Sequence, residues 1–175
     1  MKLASLYSPR GLIGLSGLLS VGLVGGGLVL ASTLNLAACP LCILQRMLYL
    51  LLAIQALPAW LTAKNRLMRG VFGLTMAVTA LAGASIAGYQ TWLQRFAAGT
   101  SCSGQQPWWE QFVDWAGGVW PLMFEATGLC SEAGWKFLRL SIAEWSLIAF
   151  TAMAIAMIYV CVGVVRNRDA TPPQG

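Results

Sequence analysis

Four apolar runs, each long enough to cross a bilayer, constrain this chain more than any other feature. They occupy residues 11–34, 43–61, 70–93 and 145–165. A hydrocarbon core about 30 Å thick is crossed by about 20 apolar residues in a helix. Backbone groups in lipid must bond within their own segment, so each run is expected to be helical. Only 10% of the 175 residues are charged and 58% are hydrophobic, whereas soluble domains carry about 25% charged residues. The expected fold is an all-α membrane protein, a four-transmembrane-helix bundle forming one domain over residues 1–175. The short connection at 62–69 makes the second and third helices antiparallel neighbours.

Orientation follows from the basic residues. Lys2 and Arg10 precede the first run, Lys64, Arg66 and Arg69 separate the second and third, and Arg166 and Arg168 follow the fourth. The positive-inside rule makes that side the cytoplasm. Residues 1–10, 62–69 and 166–175 are then cytoplasmic, with both termini inside, and the loops 35–42 and 94–144 face outward. Five of the six acids fall in the second outer loop, but acids contribute little to the rule. The net charge of +5 reflects this anchoring and gives no sign of nucleic-acid binding.

A removable signal is the competing reading of the N-terminus. Leu36-Ala37-Ala38-Cys39 even resembles a lipoprotein cleavage box. The first run exceeds the usual signal core of about 7–15 residues, and a second run begins almost at once after Cys39. Both favour a retained helix.

Small residues are prominent. Gly22 and Gly26 have the GxxxG spacing, and Ala80, Ala84 and Gly88 repeat at four, as do Gly83 and Ala87. Such spacing allows close helix approach, so these stripes are expected to be packing surfaces. In the second outer loop Trp108, Trp109, Phe112, Val113, Trp115, Ala116, Val119 and Trp120 recur near helical spacing, with Pro107 placed to open a helix and Pro121 to end it. Tryptophan favours the membrane boundary, and a short interfacial helix is expected. Aromatics that merely cover the loop's own small core are the alternative.

The chemistry lies in the cysteines. Cys39-Pro40-Leu41-Cys42 places two thiols at the mouth of the second run, and Cys102 and Cys130 lie in the long outer loop. All four fall on the side where disulfides persist. Cys161, near the inner end of the fourth run, reads as a small packed hydrophobe. A lone CxxC can be a structural clip, half of a zinc site or a redox pair. Zinc would need two more ligands, the chain has no histidine, and Cys102 and Cys130 are 28 positions apart, unlike a compact second half-site. Thiolates, not thiols, attack disulfides. Cys42 is expected near a helix N-terminus, where the dipole favours negative charge. Arg46 lies four residues on, on the same face. An arginine at that depth needs a partner, which a Cys42 thiolate or an anionic acceptor beside it would supply; the alternative is snorkelling to headgroups.

The run Cys39-Pro40-Leu41-Cys42-Ile43-Leu44-Gln45-Arg46 at the head of the second span resembles the DsbB family of bacterial membrane disulfide oxidases. The stretch WPLMFEATGLC from Trp120 to Cys130, with Trp135 and Leu138 to Trp145, is similar to the family's second outer loop and the start of its fourth span. The resemblance covers nearly the whole chain. It implies residence in the bacterial inner membrane and a relay. A soluble periplasmic thiol oxidase of the DsbA type attacks Cys102, and the released Cys130 reacts with Cys39. Electrons reach the Cys39–Cys42 pair, and Cys42 passes them to ubiquinone or menaquinone, with Arg46 stabilising the charged state between cysteine and quinone.

A magnitude shows why a strong acceptor is needed. The soluble partner lies near about −120 mV and relaxed structural disulfides below about −300 mV. That gap of about 180 mV amounts to roughly 8 kcal/mol in the wrong direction for two electrons. Membrane embedding makes a lipophilic quinone the natural drain. Two departures from the family bear on the quinone. Where the family often carries a basic side chain near the outer end of span three, this chain has Tyr89-Gln90-Thr91, with Arg95 further out; Gln90 donates a hydrogen bond but carries no charge, and an interhelical hydrogen bond is its simpler role. Ile142 stands where some relatives have methionine. The rival reading is a disulfide-stapled four-helix structural or transport protein without redox turnover.

Overall fold

The computed structural model of the chain describes residues 8–97, 108–132 and 134–169. Four long helices dominate it: α1 (Pro9–Leu34), α2 (Pro40–Leu61), α3 (Arg66–Phe96) and, after two short helices and a hairpin, α6 (Ile142–Asp169). All four are long and apolar enough to cross a membrane. Each starts where the local chemistry dictates. Ser8 caps α1 by accepting from Gly11 N at 3.1 Å, with Pro9 in the first helical position. Asn65 caps α3 by accepting from Leu67 N and Met68 N. Pro40 begins α2, so that helix starts three residues before its apolar run and takes the CxxC into its cap and first turn. Ser141 and Glu144 form a reciprocal capping box at the head of α6: Ser141 N donates to Glu144 Oε2 at 2.7 Å and Glu144 N to Ser141 Oγ at 3.3 Å.

The bundle runs α1, α2, α3, α6 in space, with α3 packed most extensively on α6 and contact between α1 and α6 sparse. Polar contacts pin α3 and α6 antiparallel at both ends. Arg95 in the last turn of α3 pairs with Glu144 in the first turn of α6, and Arg66 Nη2 donates to Val164 O at 2.6 Å. Between these ends lies a dry core containing Ile13, Leu52, Met76, Phe150 and Met157, all fully buried. Tyr49 stacks flat on Phe150 with ring centroids 4.0 Å apart. Leu18, Val29, Ile54, Leu57, Ile155 and Tyr159 point outward, as a lipid-facing surface requires.

The glycine expectation holds in α3 and fails in part of α1. A Cβ on Gly83 would run into the ring of Phe150, so that glycine sets the α3–α6 approach. In α1 the close approach is at Gly17, where a Cβ would lie 2.6 Å from Ala56 Cβ. Gly22 and Gly26, expected to pack, have nothing within 4 Å among the described residues, and neither do Gly25 and Gly27. The GxxxG spacing there meets no partner helix, because α1 has parted from α6 at that level.

In the outer loop, α4 (Trp108–Val119) is the expected short helix. It buries Val113 and Ala116 and exposes Trp108, Phe112, Trp115 and Val119, so most of its aromatics do not fill a loop core. Pro107 lies outside the described residues. Pro121 both ends the α4 segment and opens α5 (Pro121–Phe124). The chain then reaches a two-residue hairpin, β1 (Lys136–Phe137) against β2 (Leu140–Ser141), which leads into α6.

Candidate active site at the head of the second helix

Cys39 is the N-cap of α2. It is extended, at φ −89° and ψ 160°, and its sulfur accepts from Cys42 N at 3.3 Å. A cap residue and the third helical residue lie on one side of the first turn, which brings the two Sγ atoms within 2.8 Å. Both thiols are free. Cys39 is nearly fully buried, and its thiol is pushed to hold its proton, first by the hydrogen bond it donates to Cys42 and then by burial. Cys42 is the acceptor in that pair and sits where the helix dipole favours negative charge.

Gln90 closes the site from α3. Its Nε2 lies 3.0 Å from Cys42 Sγ and 3.2 Å from Cys39 Sγ. The Oε1 of the same amide accepts from Gln45 Nε2 at 2.6 Å. These amides are almost completely buried, at 4% exposure for Gln45 and 2% for Gln90. Gln90 therefore makes an interhelical hydrogen bond and touches the sulfurs as well. Gln45 was not singled out in the sequence. The available signal was a polar residue one turn after Cys42 inside a span, which must find a partner in lipid.

Cys130 is fully buried and packs in one cluster with Cys39, Leu41 and Leu93, with Cys42 at its edge. It is disulfide-bonded; Cys102 lies outside the described residues. The segment carrying Cys130 is clamped onto the approach to α2. Thr127 N and Gly128 N both donate to Ala38 O at 2.9 Å, and a Cβ at position 128 would lie 2.5 Å from Ala37 O. Only glycine fits that contact.

Arg46 lies within reach of the charge at Cys42, as expected, and has a second partner as well. Its Nη1 donates to Met123 O at 2.5 Å, and it makes no hydrogen bond to either sulfur. It does line the same cavity as Cys42. This cavity of about 120 Å³ is walled by Leu23, Val24, Gly27 and Ala31 of α1, by Leu36, Ala37 and Ala38, by Cys42, Gln45, Arg46 and Tyr49 of α2, and by Ile142 and Ser146 of α6. An adjoining groove of about 300 Å³ shares Leu23, Gly27, Tyr49, Ile142 and Ser146 and adds Gly26, Leu30, Trp135, Phe137 and Trp145. The two occupy the seam that α1 and α6 leave open. Apolar walls with a few convergent polar groups are the usual make-up of a small-molecule site. Here the polar residues are Cys42, Gln45, Arg46, Tyr49 and Ser146, a donor-rich set that suits a carbonyl-bearing apolar ring.

A family model described as "Disulfide bond formation protein DsbB" matches residues 9–160. A "Disulfide bond formation protein B" of Nitrosomonas europaea is 41% identical over 142 residues, covering 79% of this chain and 84% of its own. Its namesake in Dechloromonas aromatica is 37% identical over 139 residues, 78% of this chain and 82% of its own. A "Disulfide bond formation protein B 1" of Pseudomonas fluorescens is 37% identical over 159 residues, 90% of each chain.

Proposed function

The chain belongs to the DsbB family of disulfide bond formation proteins, and on that premise we propose that this multi-pass membrane protein is a thiol:quinone oxidoreductase of the bacterial inner membrane. It reoxidises a periplasmic DsbA-like thiol oxidase and delivers the electrons to ubiquinone or menaquinone. Both termini face the cytoplasm in this reading, with Lys64, Arg66 and Arg69 on that side. The dithiol, α4 and the hairpin then face the periplasm.

In the first exchange a thiolate of the reduced partner attacks Cys102 in a Cys102–Cys130 disulfide and releases Cys130 as a thiolate. The second partner thiol breaks the mixed disulfide, so the partner leaves oxidised and two thiols remain at 102 and 130. Cys130 then attacks Cys39 of the Cys39–Cys42 disulfide, and Cys42 leaves as a thiolate. Cys102 attacks Cys130 to restore the outer disulfide and return Cys39 as a thiol. A disulfide at Cys130 with free thiols at Cys39 and Cys42 is the distribution in which electrons have reached the inner pair.

A quinone in the cavity supplies the acceptor for those two electrons and two protons. The residues toward it have separate tasks. Cys42 offers its sulfur to the cavity, and Gln90 steadies the negative charge on it. Arg46, fixed by Met123 O, sets a positive charge at the cavity wall. Gly27 and Ala31 keep that wall free of large side chains, and the groove at Trp145 leaves room for a prenyl tail.

The observation that carries the reading is the double position of Cys42, which belongs both to the buried sulfur cluster and to the apolar cavity. The test is anaerobic mixing of the pure protein with a reduced DsbA-like partner and each quinone, with quinol followed by absorbance. Quinol should form in step with partner disulfide, and Cys102→Ser should abolish both. A partner that stays reduced, or a Cys102→Ser protein that turns over normally, would end the proposal.

A further inference from the structure

We infer that Gln45 is a positioning residue for the redox pair: its side-chain amide fixes Gln90 in the orientation that turns an N–H, and not a carbonyl, toward the sulfurs. This deepens the relay reading and rests on it only in taking a Cys42 thiolate as the reacting species.

The argument starts from the two-ended nature of a carboxamide. One end donates and the other accepts, and the terminal torsion that exchanges them is broad and roughly two-fold. Gln90 places Nε2 within 3.0 Å of Cys42 Sγ and 3.2 Å of Cys39 Sγ. The reverse orientation would put Oε1 there, an acceptor that suits two protonated thiols and opposes a thiolate. Burial magnifies the difference, because fixed dipoles act more strongly where water is excluded. The far end of the amide is held by Gln45, whose Nε2 donates to Gln90 Oε1 at 2.6 Å, a bond that the reverse orientation of Gln90 would lose while Gln45 keeps its own.

Gln45 is on the right element for this task. It lies three residues after Cys42 on α2, one turn below it, while Gln90 comes from α3. The amide pair thus ties the helix bearing the sulfurs to the helix bearing their donor. Gln45 makes its side-chain hydrogen bond to Gln90, not to a sulfur, and acts through Gln90.

The test is a double-mutant cycle on thiol titration, with neither partner nor quinone present. Iodoacetamide labelling of Cys42 in the fully reduced protein is followed against pH, peptide by peptide. Gln90→Met should move the labelling profile to higher pH by about one unit, which is about a tenfold slower reaction near neutrality. Gln45→Met should produce most of that shift, and the double variant should go no further than Gln90→Met alone, since residues acting through one contact are not additive. Gln45→Asn, which draws the donor back by one methylene, should shift the profile in the same direction and serves if the methionine variant is too poorly folded to titrate. Single variants that label with the parent's profile, or a double variant whose shift is the sum of the two, would overturn the assignment. A parent that titrates as expected yet reduces no quinone would sink the relay and leave the role of Gln45 standing.

Discussion

Two seams of this bundle use the same residue to opposite ends. Between α3 and α6, Gly83 removes the one side chain that would keep Phe150 off the backbone, and the seam closes. Between α1 and α6, Gly26 and Gly27 also lack side chains, but no helix moves in, and the space becomes the cavity and groove beside Cys42. Where glycine faces a large, flat side chain, dispersion and shape close the gap. Where neighbouring helices stay apart, as over the stretch that Leu36–Ala38 and Tyr49 also line, glycine leaves a hole.

The contrast can be broken by filling each seam in turn. Gly83→Leu should have the largest effect, because its side chain must displace the ring of Phe150. A loss of about 3 kcal/mol or more is expected, read as a collapse of the thermal transition in detergent; an unshifted transition would show that the seam is not tight. Gly128→Ala, at the clamp on Ala37 O, should slow transfer from the outer to the inner cysteine pair by about a hundredfold, since displacement of about 1 Å at a reacting centre has that scale. Rapid quenching with thiol labelling measures it, and first attack by the partner on Cys102 should keep its rate. Gly27→Leu should leave the melting temperature in place and raise the KM for quinone by about tenfold, equivalent to about 1.4 kcal/mol of binding. If it reduced quinone like the parent, the open seam would not be the acceptor site. Glu144→Gln should have the smallest effect. The amide oxygen can still accept from Ser141 N, but the NH2 that replaces Oε1 no longer accepts from the exposed Arg95, a loss of about 0.5 kcal/mol read in chemical denaturation.

The four helices were legible because lipid imposes one rule on every residue of a span, and a run of 20 apolar residues has few other uses. The CxxC was legible because its spacing is itself the chemistry. What escaped the sequence depends on partners far along the chain. Arg46 is held by a carbonyl 77 positions away, and Gln45 matters only because Gln90 ends opposite it. The stripe at Gly22 and Gly26 misled because spacing alone does not say whether a neighbouring helix is near. The hairpin before α6 was hidden for a local reason. Leu138 and Arg139 adopt φ values of 52° and 68°, a turn that glycine or asparagine normally announces. The Ser141–Glu144 capping box, by contrast, was readable as S-x-x-E and was missed beside the stronger apolar signal.

The sulfur of Cys39 has a consequence beyond its chemistry. A helix cap is ordinarily inert, a hydroxyl or carboxylate that stays as folding left it. In the relay proposed above, the capping atom of α2 is the one that would change valence partners at every turnover, so the opening turn of a membrane helix would be rewritten each time a substrate protein is oxidised. On that reading Cys39→Ser would keep the cap and stop the relay. On the same reading the cap of α2 is a working part fastened to a helix of 22 residues that can stay still.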